Sequence, residues 1–212
     1  MSAVLYSYRR CPYAMRARMA LAYAQIPVEI REISLREKPA SMLAISPKGT
    51  VPVLQCGELV IEQSLEIMFW ALQKSDPDQW LKSSVLDEAW QLIELNDSSF
   101  KALLDQYKYP ERIKLSPSLT REAILEKAIQ TFIAPLEERL GSQPFLFGEQ
   151  ISIADIAIFP FIRQFAMVDK DWFDSAPFPR LKKWLDFHLE SPLFLGVMQK
   201  YPTWQDLPLE SS

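Results

Sequence analysis

The sequence has very little cysteine and histidine. Its 212 residues include two cysteines and one histidine. Two cysteines cannot build the disulfide framework of a small secreted protein, so we expect two reduced thiols. The one histidine, His188, has no partner motif, and no group of residues has the spacing of metal ligands. We therefore predict a structural role for His188 and no metal site.

Excess positive charge and long hydrophobic runs are missing as well. The formal net charge is −4, so no overall basic field favours nucleic acid as a partner. No apolar run approaches the ~18 residues of a membrane span, and the chain does not open with a basic and then apolar leader. We expect a soluble, cytoplasmic protein that binds neither nucleic acid nor a membrane.

The most informative stretch that is present joins a predicted strand to a predicted helix at Cys11. Residues 3–8 are rich in strand formers, and residues 12–24 are dense in Ala, Met, Leu and Arg. Pro12 suits the first helical position, where its missing N–H has no intrahelical partner. Cys11 is then expected at the helix N-cap, where backbone N–H groups and the helix dipole favour a thiolate. Nearby positive charge comes from Arg9, Arg10 and Arg16.

Cys11 has more than one interpretation. A lone cysteine is often a buried small hydrophobe, but such residues lie within apolar runs, whereas Cys11 lies between Arg10 and Pro12. A dithiol redox motif requires a second cysteine at the position that Ala14 occupies. The pattern therefore favours a single nucleophilic thiol.

The order of predicted elements divides the chain into two domains. Residues 1–77 read as β-α-β-α-β-β-α, with strict alternation over 28–33, a hairpin over 50–61 and a helix from Ser64 to Gln73. After a linker near residues 76–83, residues 84–212 show only helical patterns. We predict an α/β domain followed by an all-α domain.

Three features of the second domain carry specific expectations. Asn96 and Asp97 interrupt the apolar stripe of a helix over 84–107; they either face a ligand cleft or make a structural hydrogen bond. Ser152 and Asp155 form a capping box before a helix that is apolar all round, which favours a capping role over a catalytic role for Asp155. Further helices are predicted over 119–140, 178–189 and 193–200, with a polar loop over 108–118 and a loose tail at the end.

Five motifs in order carry a resemblance to a known family. They are Cys11-Pro12-Tyr13-Ala14, Lys38-Pro39, residues 46–54 (SPKGTVPVL), Gln63-Ser64 and Ser152-Ile153-Ala154-Asp155. Over nearly its whole length the chain resembles the cytosolic glutathione transferase superfamily. Within that superfamily it looks most like the cysteine-type members, which are the omega-like transferases and the two-domain glutaredoxin-like proteins. The resemblance implies a thioredoxin-like fold for residues 1–77.

The resemblance also implies a glutathione co-substrate and the residues that bind it. Cys11 is the implied catalytic residue. The implied glutathione-binding residues are Pro12, Tyr13, Lys38, Val51, Pro52, Gln63 and Ser64. Lys38 matches the lysine that meets the glycine carboxylate, and Val51, before a proline held in cis, matches the residue that pairs with the central peptide unit. Gln63 departs from the family pattern, since omega-like members usually carry glutamate directly before this serine.

The implied activity is that of a glutathione-dependent thiol transferase or reductase. A Cys11 thiolate would attack a glutathione mixed disulfide or reduce an oxidised molecule such as dehydroascorbate. Either route leaves a Cys11–glutathione disulfide that a second glutathione resolves. In the implied topology Cys56 lies about 13 Å from Cys11, too far for a disulfide.

Two alternatives and the second substrate stay open. In one alternative a hydroxyl of Tyr6, Ser7, Tyr8 or Tyr13 stabilises the thiolate of glutathione for conjugation to electrophiles. In the other the protein is a non-catalytic regulatory or binding protein of the same fold. A small electrophilic or disulfide substrate is expected to contact the first helix of the second domain. The candidate pocket residues are Trp90, Asn96, Phe100 and Tyr107, and a homodimer is possible.

Overall fold

The structure is a computed structural model that describes residues 3–112 and 119–206. Two compact units account for the chain: Met1–Pro77 together with Pro192–Ser212, and Asp78–Ser191. Strands occur only in the first unit among the residues described. This arrangement confirms the predicted fold class of an α/β unit and an all-α unit.

The first unit contains a four-stranded mixed sheet with helices. Its elements are β1 (Ala3–Ser7), α1 (Pro12–Tyr23), β2 (Val28–Glu32), α2 (Ala40–Ile45), β3 (Val53–Cys56), β4 (Leu59–Ile61) and α3 (Ser64–Lys74). The strand order is β2-β1-β3-β4, with β1 parallel to β2 and β3 antiparallel to both β1 and β4. This is the predicted β-α-β-α-β-β-α order.

The two central strands β1 and β3 are the most buried part of the sheet, which explains their apolar residues. Helix α1 packs along α3, and their buried faces include Met15, Met19, Ile67 and Met68. A smaller cluster around Met42 of α2 covers other strand residues. Burial of these side chains supplies the main favourable free energy of the unit.

The last described residues also belong to the first unit. Helix α11 (Pro192–Val197) packs on α1. Beyond it, the backbone N–H of Trp204 donates to the carbonyl of Glu32 at 2.7 Å, and Asp206 accepts hydrogen bonds from both the N–H and the hydroxyl of Ser41 in α2. The predicted helix over 193–200 is present as α11, but residues 192–206 belong to the first unit instead of the helical one, and residues 203–206 are held by hydrogen bonds instead of forming a loose tail. The reason is that these contacts join residues far apart in the sequence; residues 207–212 lie outside the described part.

The second unit is helical. Its α-helices are α4 (Leu86–Leu95), α5 (Lys101–Lys108), α6 (Arg121–Ala128), α7 (Ala134–Leu140), α8 (Ile153–Ala166), α9 (Lys170–Ser175) and α10 (Pro179–Glu190). Two π-helical segments, Asn96–Phe100 and Ile129–Ile133, connect α4 to α5 and α6 to α7. The predicted helices over 84–107 and 119–140 thus each contain a π segment, and residues 113–118 of the predicted loop lie outside the described residues.

Helix α8 is the buried centre of the second unit. Twelve of its fourteen residues are buried, including Pro160 inside the helix. Its capping box is present as predicted: Asp155 accepts from the N–H of Ser152 at 2.8 Å and from the Ser152 hydroxyl at 2.6 Å. Asp155 also accepts from the N–H of Leu146 at 2.9 Å and from Nε1 of Trp184 at 2.8 Å. With four donors in a buried site, Asp155 has the structural role that the capping pattern indicates.

Candidate functional site

The topology of the first unit brings the predicted site residues to one edge of the sheet. Because β3 is antiparallel to β1 and β4, the end of β1, the start of β3 and the end of β4 meet at the same edge. Cys11 follows β1, Pro52 precedes β3, and Ser64 begins α3 just after β4. Cys56 lies at the opposite end of β3 from Pro52.

Cys11 is the N-cap residue of α1, as its position before Pro12 predicts. Its backbone is extended (φ −74°, ψ 122°), and its carbonyl accepts the first helical hydrogen bond, from the N–H of Met15 at 2.9 Å. The thiol is partly exposed and donates to the carbonyl oxygen of Val51 at 3.8 Å. The Val51–Pro52 peptide bond is cis. The thiol and the backbone of the loop before β3 therefore face each other.

Arg18 holds the segment that leads to Cys11. Only 4% of this residue is exposed. Its guanidinium donates to the hydroxyl of Ser7, to the carbonyl of Arg9 at 2.9 Å, and to the carbonyl of Val197 at 3.0 Å. Burial lowers the pKa of Arg18 to about 10, an effect opposed by the charges of Glu32 and Cys11. Sequence reasoning missed this residue, because one of its acceptors, Val197, lies 179 positions away in the sequence.

Arg16 connects α1 to the start of α3. It is 1% exposed, and its Nε donates to Oγ of Ser64 at 3.0 Å. Its guanidinium also lies 5.0 Å from the ring centroid of Tyr13. Because Nε occupies a lone pair of the Ser64 oxygen, the hydroxyl hydrogen of Ser64 can be directed at a ligand. A positive charge and the N-terminus of α3 thus lie at the same place, which suits a carboxylate.

The neighbouring side chains of Glu62 and Gln63 have different contacts. Gln63 is the exposed N-cap residue of α3, and its side chain makes no capping hydrogen bond. The Glu62 carboxylate instead accepts from the hydroxyl of Ser46 at 2.5 Å and lies 3.6 Å from Nζ of Lys48. Glu62 is therefore engaged with the loop before β3, which leaves position 63 as the side chain next to Ser64.

Lys38 lies over the loop that leads to Val51. Gly49 in this loop has a positive φ of 62°, and a Cβ there would lie 3.2 Å from Nζ of Lys38. Any larger residue at position 49 would displace the lysine. The structure thus gives Lys38 a defined place beside the loop while leaving it exposed.

The predicted substrate-pocket residues lie in different environments of the second unit. Phe100 is fully buried, with its ring stacked 4.6 Å from that of Phe132. Tyr107 is 2% exposed, with its ring 5.7 Å from that of Phe165. Both side chains contribute to the aromatic core of this unit, a role that the apolar stripe of the helix over 84–107 does not distinguish from a pocket wall.

The other two predicted pocket residues differ from each other. Asn96 is fully buried at the start of a π segment, and its Nδ2 donates to Asp97 at 2.8 Å. The amide nitrogen thus makes a structural hydrogen bond, whereas the buried Oδ1 of Asn96 has no hydrogen-bond partner among the described residues. Trp90 on α4 is only partly buried.

The hydroxyl groups of β1 and its flank are already engaged. Tyr6 donates to Ser41 at 3.0 Å and accepts from Arg31 at 2.8 Å. The Ser7 hydroxyl is buried against Arg18, and the Tyr8 hydroxyl accepts from Arg10 at 2.7 Å. Of these three hydroxyls, that of Tyr6 donates its hydrogen within the protein, whereas those of Ser7 and Tyr8 are shown only as acceptors.

Metal sites and membrane-spanning helices are two further features of interest. No group of three or more metal-ligating side chains occurs in residues 3–112 and 119–206. Across the same residues, the helices are all too short or too polar to cross a membrane.

Comparison with known proteins is consistent with this geometry. The model of the glutathione S-transferase N-terminal domain matches residues 5–79, and that of the C-terminal domain matches residues 101–187. The pyrimidodiazepine synthase of Drosophila melanogaster is 28% identical over 210 residues, covering 91% of this chain and 79% of that protein. The glutathione S-transferase omega-1 of Rattus norvegicus is 26% identical over 211 residues, covering 95% and 83%.

A solved structure shows the same fold. It is a glutathione transferase family member from Pseudomonas fluorescens with two glutathione molecules bound, and it superposes with a TM-score of 0.80 at 20% identity over 93% of this chain and 92% of that chain. The two domain models together cover about three quarters of the sequence in the expected order. The chain therefore belongs to the glutathione S-transferase family and has omega-class relatives.

Proposed function

We propose that the protein is a glutathione-dependent thiol transferase or reductase with Cys11 as its catalytic residue. The observation that carries the proposal is the place of Cys11 at the N-cap of α1, with Sγ 3.8 Å from the Val51 carbonyl on the loop before Pro52. In the structure the Cys11 thiol donates to this carbonyl, and once it has lost its proton the backbone N–H groups at the helix N-terminus would stabilise the thiolate.

Glutathione is proposed to lie along the edge of the sheet. Its head carboxylate would accept hydrogen bonds from the Ser64 hydroxyl and the N-terminus of α3, beside the charge of Arg16. Gln63 would meet the amino group, Val51 the central peptide unit, and Lys38 the glycine carboxylate. Cys11 would then face the sulfur of glutathione, flanked by Pro12, Tyr13 and Pro52.

The proposed reaction uses one protein thiol. The Cys11 thiolate attacks the glutathione sulfur of a mixed disulfide, a Cys11–glutathione disulfide forms, and the other thiolate leaves and takes up a proton. The thiolate of a second glutathione attacks this disulfide, which releases oxidised glutathione and restores the Cys11 thiolate. Ala14 and the location of Cys56 at the far end of β3 leave Cys11 without a resolving thiol in the first unit.

Family membership and the relatives named as omega-class transferases support a glutathione-dependent enzyme, and the cysteine mechanism rests on the position of Cys11. Conjugation of electrophiles and a non-catalytic role are outcomes that the test must distinguish. Trp90 is the most suitable of the predicted pocket residues, because it is only partly buried. The homodimer and the cytoplasmic location stay predictions.

A comparison of Cys11→Ser with the unchanged protein tests the proposal. Serine is a preferred N-cap residue, so the helix is retained while the nucleophile is lost. We expect thiol transfer from a glutathione mixed disulfide to fall at least about 1,000-fold, a loss typical of removing a nucleophile. Cys56→Ser is the matched control and should keep full activity.

The other outcomes identify the alternatives. Thiol transfer that survives Cys11→Ser would exclude the proposed mechanism. Conjugation activity that persists or rises in Cys11→Ser would support a hydroxyl-based transferase. An absence of glutathione binding in calorimetry would support a non-catalytic protein.

A further inference from the structure

A cavity of about 600 Å³ in the first unit has a basic lining. Its walls come from the segment before Cys11, from the segment after β2 and from the C-terminal segment. Four cationic side chains line it, with a single carboxylate, that of Glu32. The four are Arg9, Arg10, Arg36 and Lys200. A cavity of this volume is suited to a small molecule.

The carboxylate of Glu32 offsets only part of the positive charge of this basic cavity. Within residues 3–112 and 119–206, none of the four cations forms an ion pair, whereas Arg31 pairs with Glu29 and Lys170 with Asp174. The Glu32 carboxylate is directed at a backbone N–H of the cavity wall, at 2.7 Å. Because the whole chain carries a net charge of −4, this local excess of cations is not a consequence of composition.

The walls of the basic cavity are held in place by hydrogen bonds. Arg18 binds the carbonyl of Arg9 at 2.9 Å. The Tyr8 hydroxyl accepts from Nε and Nη2 of Arg10 at 3.1 and 2.7 Å, which fixes the direction of that guanidinium. The N–H of Trp204 donates to the carbonyl of Glu32 and so attaches the C-terminal wall. Such preorganisation lowers the entropic cost of binding.

We propose that the basic cavity binds the anionic part of the second substrate, a small molecule with two or more carboxylate or phosphate groups. This inference rests on the proposed function. Two of the four cations are sequence neighbours of residues in the proposed glutathione site. Arg10 directly precedes Cys11, and Arg36 lies two residues before Lys38. Guanidinium groups pair with carboxylate and phosphate through two parallel hydrogen bonds.

Two mixed disulfides of glutathione that differ in charge test the substrate class. The first carries 2-mercaptoethanol, which is neutral, and the second carries mercaptosuccinate, which brings two carboxylates. We expect kcat/KM at low salt to be about tenfold higher for the second, and the ratio to fall as salt screens the cations. Lys200→Glu and Arg36→Glu, both at exposed positions, should bring the ratio to one or below. Lys127→Glu, an exposed position on α6 with the same charge change, should leave the ratio unchanged.

A binding measurement separates failure of this proposal from failure of the proposed function. Calorimetry on Cys11→Ser requires no thiol chemistry, and it is done with succinate, with neutral succinamide and with inorganic pyrophosphate. Preference for succinate or for pyrophosphate, lost in Lys200→Glu, supports the site and distinguishes carboxylate from phosphate ligands. Equal binding of succinate and succinamide, together with no binding of pyrophosphate, would overturn the proposal. The proposal would also be overturned if the ratio of kcat/KM for the two mixed disulfides were unchanged in both Lys200→Glu and Arg36→Glu.

Discussion

Arg16 and Arg18 lie two residues apart on α1 and have different tasks. Arg16 donates to Ser64 at the start of α3, whereas Arg18 fixes the backbone before Cys11. Both are almost fully buried, which is unusual for arginine. Each is satisfied by acceptors that the fold supplies, so neither charge is left without hydrogen bonds in the interior.

The hydroxyl of Ser64 is expected to contribute to glutathione binding more than to chemistry. Ser64→Ala removes a hydrogen bond to a carboxylate, which is worth about 1.5–3 kcal/mol, so KM for glutathione should rise about 10- to 100-fold with kcat little changed. Steady-state kinetics with varied glutathione measures this split. Ser98→Ala, an exposed serine of the helical unit, is the control. A fall in kcat at unchanged KM would place Ser64 in the chemical step instead.

The burial of His188 predicts a loss of stability in acid. The residue is 1% exposed among the rings of Phe145, Phe159, Trp184 and Phe187, and this burial lowers its pKa from 6.5 to about 3. The unfolded chain takes up a proton below about pH 6.5 while the folded protein does not. Folding stability should therefore fall by about 1.4 kcal/mol per pH unit as pH drops from 6.5 toward 3.

His188→Phe should remove this part of the pH dependence. Between pH 6.5 and pH 5 the unchanged protein should lose about 2 kcal/mol more than the variant, measured by urea unfolding at both pH values. Equal losses in the two proteins would show that His188 is not the group responsible.

The sequence predicted the N-cap position of Cys11 in the candidate site but not the hydrogen bonds that surround it. The N-cap position of Cys11 follows from Pro12 and from local propensity, which the sequence displays directly. The hydrogen bond from Arg16 to Ser64 and that from Arg18 to Val197 join residues about 50 and 180 positions apart. No periodicity contains information on such pairs, because they depend on how the helices pack.

At the scale of elements, the capping box of α8 is held by a buried network of hydrogen bonds. Asp155 accepts four hydrogen bonds that attach the start of α8 to the preceding loop and to α10. Burial raises the pKa of Asp155, although its four donors oppose this effect. The interpretation of Asp155 as a cap, drawn from the serine three residues earlier, is confirmed.

Asp155→Ala is expected to destabilise the protein by about 3–5 kcal/mol, because several buried donors lose their acceptor. Chemical denaturation measures the effect, and Asp171→Ala, an exposed acidic residue in the first turn of α9, should cost less than about 0.5 kcal/mol. Asp155→Asn keeps one acceptor oxygen, and the fraction that folds should retain full activity. A well-folded but inactive Asp155→Asn would contradict the capping role.

Helix periodicity predicted most elements but not the two π segments. The apolar stripes over 84–107 and 119–140 continue through both segments, so the pattern predicts unbroken helices. A π segment adds one residue to a turn, and it is stabilised by tertiary packing, here including the stacked rings of Phe100 and Phe132. Helix α9 was not predicted either, since six residues are too few for a periodic signal.

At the scale of the whole molecule, the C-terminal segment stabilises the unit that begins the chain. The Trp204 ring lies 4.0 Å from the guanidinium of Arg31. Hydrogen bonds from Ser41 lower the pKa of Asp206, so this contribution to stability is present above about pH 4 and is lost only as pH falls through the lowered pKa. The attachment of residues 203–206 should therefore persist at neutral pH.

Trp204→Ala should reduce the free energy of unfolding by about 2 kcal/mol, because a large, partly buried aromatic side chain is removed. It should also weaken glutathione binding, because α2 and the neighbouring Lys38 lose a support. Urea unfolding and calorimetry measure the two effects. Leu195→Ala is the control in the same segment, since this side chain is 59% exposed. If both variants behave like the unchanged protein, the C-terminal segment is not a structural part of the first unit.

The return of the C-terminal segment has a consequence for how the protein is made. A ribosome releases the strands of the sheet early, but it releases Val197, Trp204 and Asp206 only after the whole helical unit has been synthesised. Until then Arg18 lacks one of its carbonyl acceptors, and α2 lacks the carboxylate that binds its first turn. Domains usually fold in order of synthesis. In this protein the sheet and its helices reach their final stability only after residues 197–206 have been synthesised.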